Sequence, residues 1–295
     1  MDKLSKIIAA FVVVSVFFCT TNLFAQSMHG LDELALAEPY SEPYAGQALW
    51  FDKMWEDQGP YRSTAVRIND CWAIASGHSF LVNGYVYHSH VVGTGPNSID
   101  DRGVEREIAE YHMHPSWEAG GGVWDGDRVD LAVMRFAEPL PGDDLEIGSL
   151  SLDEIFEYAG YGRPATPDLG LLPYDGERRG WDAKAHYWGG GGVSSKYVRS
   201  NFWPGELSMG GIGTGGGSGS GGFSSSGDLV ALLVYVVNSP NYAGASYGVR
   251  LDLYKDWIES YTDDLSCLPP QPKISSFQKA RPSWAVSRCR YGEPC

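Results

Sequence analysis

The 295-residue chain has no Cys-x-x-Cys and no His-x-x-x-His pair, so it offers no ready-made metal site. Beyond the apolar run Ile7–Cys19, no segment approaches the roughly 18 apolar residues that would suggest a membrane helix. Positive charge is scarce, with 22 Lys and Arg against 37 Asp and Glu. A surface this acidic repels nucleic acid and anionic membranes and favours solubility. Long stretches of helical periodicity and internal repeats are also missing. What is abundant is glycine, 37 residues, and aromatic side chains, which together favour strands and turns over helices.

Residues 1–25 read as a secretory signal: Lys3 and Lys6 open it, Ile7–Cys19 is its apolar core, and Leu23-Phe-Ala25 precedes Gln26 at a cleavage point. Phe18 is a poor residue before a lipoprotein cysteine; an uncleaved one-pass anchor is the bland alternative. Removing the signal takes away Lys3, Lys6 and Asp2 and moves the net charge from −15 to −16. The mature chain is expected to be secreted or periplasmic, with no stable membrane insertion after signal removal. Cys71, Cys267, Cys289 and Cys295 remain in it, an even number that suggests two disulfides with three pairings open. Cys71, beside Trp72 in an apolar strand, is alternatively a buried free thiol.

The domain organisation expected is 1–25 signal, 26–60 N-terminal segment and candidate pro-region, 61–264 main folded domain, and 265–295 Cys- and Pro-containing extension. A weak helical hint covers Gln47–Glu56. Strands are expected at Thr64–Ile68, Trp72–Ala75, Phe80–Tyr87, Val104–His112, Leu131–Phe136, around Tyr187, and at Leu229–Val237, separated by Gly, Pro, Asn and Asp clusters. Leu251–Tyr261 reads as a short helix with Leu253, Trp257 and Ile258 on one face.

Three local contexts carry chemistry, in chain order: Trp72-Ala-Ile-Ala-Ser-Gly-His78, Asp130-Leu-Ala-Val-Met-Arg-Phe136 and Gly216-Gly-Ser218-Gly-Ser220. A serine hydroxyl needs an imidazole to take its proton, a carboxylate to orient that imidazole, and backbone N–H groups aimed at the developing oxyanion. Glycines beside the serine suit the last need, because a chain without Cβ turns tightly enough to point its amides inward. Each signal has a plainer explanation: a Gly-rich run is often a linker, a lone histidine a packing residue, and Asp130 a strand cap. Phe223-Ser-Ser-Ser-Gly-Asp-Leu-Val230, a strand-turn-strand pattern directly after the glycines, argues for a folded loop.

Over roughly residues 61–262 these motifs resemble the chymotrypsin-like (trypsin-fold) serine peptidases, the serine segment being similar to the Gly-x-Ser-Gly-Ser form of bacterial, secreted members. Tyr111-His-Met-His-Pro-Ser-Trp117 before Asp130 resembles the family's His-Pro-x-Tyr segment, and Tyr247-Gly-Val-Arg250 through Trp257-Ile258 its terminal strand and helix. The resemblance implies an all-β fold: two antiparallel six-stranded β-barrels with a C-terminal helix and the catalytic cleft between the barrels. It implies catalytic His78, Asp130 and Ser218, with Gly216 and Ser218 forming the oxyanion hole. Ser220 competes as nucleophile, but Ser218 sets Phe223 and Gly227-Asp-Leu-Val230 at the family's usual distances.

Departures from the family are informative. Gly217 stands where most members carry the Asp that pairs with a new N-terminal amine, and no Ile-Val-Gly-Gly start appears in residues 26–75. Ser79 replaces a common Cys. Ile212 stands where trypsin-like members carry an Asp, Val234, Tyr235 and Val236 match the substrate-pairing segment, and Ala245 lies on the far pocket wall. The expectation is a monomeric serine endopeptidase acting on protein or peptide substrate after small or medium apolar residues. It needs no cofactor and no metal, and it binds no nucleic acid. The alternatives are a catalytically inactive homologue that binds protein or peptide through its cleft, and a secreted esterase. Asp125-Gly-Asp127 reads as a solvated turn rather than a calcium loop.

Overall fold

The computed structural model describes residues 31–55, 58–87, 91–203, 205–237 and 244–268. The signal segment, Cys289 and Cys295 lie outside the described residues. The first half contains helix α1 (Leu31–Tyr40) and a 3-10 turn (Glu42–Tyr44). Its strands are β1 (Ala48–Trp55), β2 (Gln58–Asn69), β3 (Trp72–Ala75), β4 (Leu81–Val82), β5 (Tyr85–Val86), β6 (Val91–Gly93) and β7 (Glu105–Met113). The short helix α2 (Pro115–Ala119) and β8 (Ala132–Phe136) complete it. Strands β1-β2-β3-β8-β7-β6 close into a barrel in that order, and β4 and β5 form a small hairpin.

The second half contains β9 (Ile155–Gly160), β10 (Ala165–Thr166), β11 (Gly170–Leu171), β12 (Arg179–Lys184), β13 (Tyr187–Gly190), β14 (Val193–Asn201), β15 (Gly221–Phe223), β16 (Leu229–Val237) and β17 (Ala245–Arg250). Seven of these form one sheet, ordered β12-β9-β15-β16-β17-β14-β13, one strand more than the six expected. The extra count comes from the β13–β14 hairpin, which turns at Gly190–Val193 and extends the edge. The chain then ends in a 3-10 turn (Leu251–Tyr254) and α3 (Lys255–Thr262). The fold is therefore mostly β, a trypsin-like two-barrel arrangement.

The expected strands at Trp72–Ala75 and Leu229–Val237 form over those residues, whereas Phe80–Tyr87 splits into the β4–β5 hairpin. The helical hint at Gln47–Glu56 is corrected: most of that stretch is β1. Trp50 packs in the core between the two halves and Phe51 inside the first barrel, both fully buried. A segment flanked by β2 and β6 and apolar on both sides takes the strand geometry that buries both, overriding its weak local preference. Period-2 alternation has the same consequence in β3, where Trp72 and Ile74 face the inter-barrel core while Ala73 and Ala75 face the barrel interior. Of the three apolar residues expected on one helical face, Ile258 is buried and Trp257 packs against the core. Leu253, in the 3-10 turn, points to solvent.

Helix α3 docks on the first barrel. Asn69 donates its amide N–H to the Thr262 carbonyl at 2.9 Å, and the Trp72 indole N–H donates to Asp264 O at 2.7 Å. Just beyond, Cys71 and Cys267 form a disulfide with Cα atoms 4.9 Å apart, which selects among the open pairings and removes the free-thiol alternative. No helix among the described residues is long and apolar enough to cross a membrane.

Candidate active site

His78 lies in the 3-10 turn Gly77–Ser79 that follows β3, and Asp130 lies two residues before β8 (Ala132–Phe136). Because β3 and β8 are paired neighbours, with Ala75 opposite Ala132, the two side chains emerge together at one end of the barrel. Asp130 makes two bonds to the histidine. Its Oδ2 lies 2.6 Å from His78 Nδ1, and its Oδ1 accepts the His78 backbone N–H at 2.7 Å. One carboxylate thus fixes both the ring and the turn that carries it.

Asp130 is almost fully buried, and His78 keeps about a fifth of its side-chain surface open. The Asp130 N–H donates to the Tyr197 hydroxyl at 3.3 Å, and that hydroxyl donates to the Arg128 carbonyl. Burial raises the Tyr197 phenol far above its ordinary range and keeps it a neutral donor. Tyr197 comes from β14, so the second half of the molecule braces the acid of the first.

The Gly-rich segment is folded, not a linker. Gly217 N–H donates to Thr214 O at 2.9 Å, Gly219 N–H to Leu233 O at 2.6 Å, and Ser220 N–H to Gly217 O at 2.9 Å. In the same segment, the amides of Gly216 and Ser218 donate to no acceptor among the described residues. Gly216 has φ +94° and Gly219 φ +91°, both in the region that disfavours a Cβ. At Gly219 a Cβ would also lie 1.9 Å from the Thr64 carbonyl.

Strand β2 holds this loop against the histidine turn. The Ser218 carbonyl accepts the Thr64 N–H and the Ser63 hydroxyl, each at 3.0 Å. Ser63 Oγ is also 2.9 Å from Ser79 Oγ, which bonds Ser76 Oγ at 2.7 Å. A chain of buried hydroxyls therefore joins Ser218 to the residue after His78. Ser79, which stands where the resembled family commonly carries a Cys, is tied instead by hydrogen bonds to Ser63 and Ser76. These supporting groups, with Tyr197, are the ones missed by reasoning from sequence. Their one signal is the polar pair Ser63-Thr64 opening the apolar run Ala65-Val66.

Ser220 is fully buried with its hydroxyl donated to Gly217 O at 2.7 Å, whereas Ser218 is half-buried. Of the expected pocket residues, Ile212 is half-buried, Val234 and Ala245 are buried, and Tyr235 is exposed. Gly213 packs so closely on Leu233 and Val236 that an added Cβ would lie 2.5 Å from the first and 3.0 Å from the second. Gly213 N–H is tied to Ser246 Oγ at 3.0 Å, next to Ala245. Past Leu233, β16 pairs with β17 alone among the described residues and leaves its other edge open beside the serine loop. Trp124 stacks on Tyr235 at 5.0 Å along that edge.

No group of three or more His, Cys, Asp or Glu residues able to hold a metal occurs among the described residues. Asp125 is occupied by the Asp127 and Arg128 amides and the Arg128 guanidinium, and Asp127 by Lys196.

No protein-family profile matches this chain, and no curated protein sequence matches it. Among solved structures it is similar to the scabies mite inactivated protease paralogue S-I1, with a TM-score of 0.56 and 12% identity, covering 75% of this chain and 95% of that one. At that identity the likeness is one of fold, and the fold shared is that of a trypsin-like protease paralogue.

Proposed function

We propose that the chain is a secreted serine endopeptidase using Ser218 as nucleophile, His78 as general base and acid, Asp130 as the orienting carboxylate, and the Gly216 and Ser218 amides as oxyanion donors. The observation that carries this reading is the doubly bonded His78–Asp130 pair, whose turn is joined through Ser79 and Ser63 to a loop that leaves those two amides uncommitted among the described residues. Ser218 Oγ attacks the peptide carbonyl as His78 Nε2 takes its proton; the C–N bond breaks as His78 returns that proton to the leaving amine. Water, deprotonated by the same imidazole, then releases the acyl group and restores Ser218. Each oxyanion donor is worth about 3 kcal/mol of transition-state stabilisation. The Cys71–Cys267 disulfide suits an oxidising, extracytoplasmic compartment.

Ser218 is preferred to Ser220 because the latter's hydroxyl is buried and committed. The test is fluorophosphonate labelling of the purified protein, with intact mass and peptide mapping, beside Ser218→Ala. A single adduct on Ser218, absent from the variant, is expected. A folded protein that takes no label would instead be a binding homologue, the second reading motivated by Gly217 in place of an acid.

Substrate choice follows from the pocket walls. Ile212, Val236 and Ala245 offer no carboxylate, and the tight packing of Val236 on Gly213 limits depth. The open β16 edge suits backbone pairing with an extended peptide. A fluorogenic peptide panel is expected to give the highest kcat/KM with Ala, Val or Leu before the scissile bond. Fastest cleavage after Lys or Arg would overturn the assignment.

A further inference from the structure

The loop that carries Ser218 spans Met209–Gly222 and contains nine glycines, so its backbone has more freedom to lose on ordering than almost any other segment. Gly217 has no side chain with which to anchor it. The middle of the loop is tied to β2 and β16 through the Ser218 carbonyl and the Gly219 N–H, and its two ends need their own anchors.

Both ends of this loop are gripped by the stretch from the last residue of α1 to the end of the following 3-10 turn. At the upstream end, the Tyr40 hydroxyl donates to Asp182 Oδ1 on β12. The other carboxylate oxygen of Asp182 accepts the Met209 N–H at 3.3 Å and the Ser208 hydroxyl at 3.4 Å. Asp182 N–H donates to Met209 O at 2.9 Å, and Gly211 N–H donates to Asp182 O at 3.2 Å, so the segment entering Ile212 is fixed to Asp182 on both sides. At the downstream end, the Tyr44 ring stacks on Phe223 with centroids 4.1 Å apart and planes 14° from parallel. Its hydroxyl donates to Glu157 Oε2 at 2.5 Å, on the strand that pairs with Phe223.

Between the two tyrosines, Ser41 Oγ accepts from buried Arg178 Nε at 3.1 Å, and Glu42 pairs with the same guanidinium at 2.9 Å. Burial first, and the partner carboxylates second, hold both phenols well above their ordinary range, so both remain donors.

We propose that Tyr40 and Tyr44 are positioning residues: the segment Tyr40–Tyr44 is a permanent clamp that holds the Ser218 loop in its working conformation and stays attached to the mature protein. It does without a cleaved N-terminus the job that a buried charge pair at position 217 would do. The clamp rests on the proposed function only for its consequence on reactivity, not for its effect on the loop.

The test uses the full chain with Tyr40→Phe combined with Tyr44→Leu, and Tyr44→Phe alone as the conservative variant that keeps the stack. Hydrogen exchange is measured by peptide across 209–223 and across β2, β3 and β8, together with the second-order rate of fluorophosphonate labelling. In the double variant, exchange across 209–223 is expected to rise about tenfold with the first barrel unchanged. Labelling slows by a similar factor, and Tyr44→Phe restores most of both. Unchanged exchange across 209–223, or a rise spread equally over both halves, would overturn the clamp. If the double variant does not fold, Tyr40→Phe alone is judged on the same two segments. A wild-type protein that takes no label, yet whose loop loosens selectively in the variant, would remove the peptidase reading and leave the clamp standing.

Discussion

Asp130→Asn is expected to cut peptide turnover by about 10⁴-fold, with the melting temperature nearly unchanged. The reason lies in the two bonds Asp130 makes. An asparagine oxygen at Oδ1 still accepts the His78 backbone N–H, so the turn stays where it is. At the other position an amide NH₂ replaces the oxygen 2.6 Å from Nδ1 and forces that nitrogen to become an acceptor. The proton then resides on Nε2, the atom proposed to take the proton of Ser218, and the imidazolium loses its counter-charge. Because the pair acts as a unit, adding Asp130→Asn to His78→Ala should lower the rate little further. Measured kcat for the single and double variants decides this; a single Asp130→Asn variant retaining more than about a tenth of the activity would exclude the assigned roles.

The second large effect concerns stability. Cys71 and Cys267 are 196 residues apart, so their bond closes most of the described chain into one loop. On the chain-entropy account, a loop of that length is worth about 5 kcal/mol, and measured disulfides reach that figure only when the native state is undistorted. Replacing both cysteines by Ala is therefore expected to lower stability by about 3–5 kcal/mol. For a domain of this size that is a fall in Tm on the order of 10 °C. The native contacts around the bond survive its loss, since Arg135 lies over the Trp72 ring at 5.0 Å and donates to Ser266 O at 2.7 Å. The effect should therefore appear as an earlier cooperative transition rather than as local fraying. A melt unchanged by a reductant would show that the bridge contributes nothing.

Much of the candidate site was legible in the chain because its parts are short and local. The apolar run into Ser-Gly-His78 and the lone acid opening Leu131–Phe136 belong to paired neighbouring strands. Once two adjacent strands end together, their terminal side chains must meet. The glycines around Ser218 likewise announce a turn with positive φ, which Gly216 and Gly219 adopt.

What the residues alone determined is therefore the all-β class and strands such as Trp72–Ala75 and Leu229–Val237, together with the local contexts of His78, Asp130 and Ser218, since these depend on side-chain period and on which residue types tolerate which backbone. The tertiary structure alone decided the rest. It made a strand of Ala48–Trp55, chose Cys267 as the partner of Cys71, and set Tyr197, Ser63 and Thr64 behind the site. It also brought Tyr40 and Tyr44 onto both ends of a loop more than 160 residues away. Those outcomes rest on burial and on hydrogen bonds between segments far apart in sequence, and no local pattern records which distant group will satisfy a buried donor or cover an apolar ring.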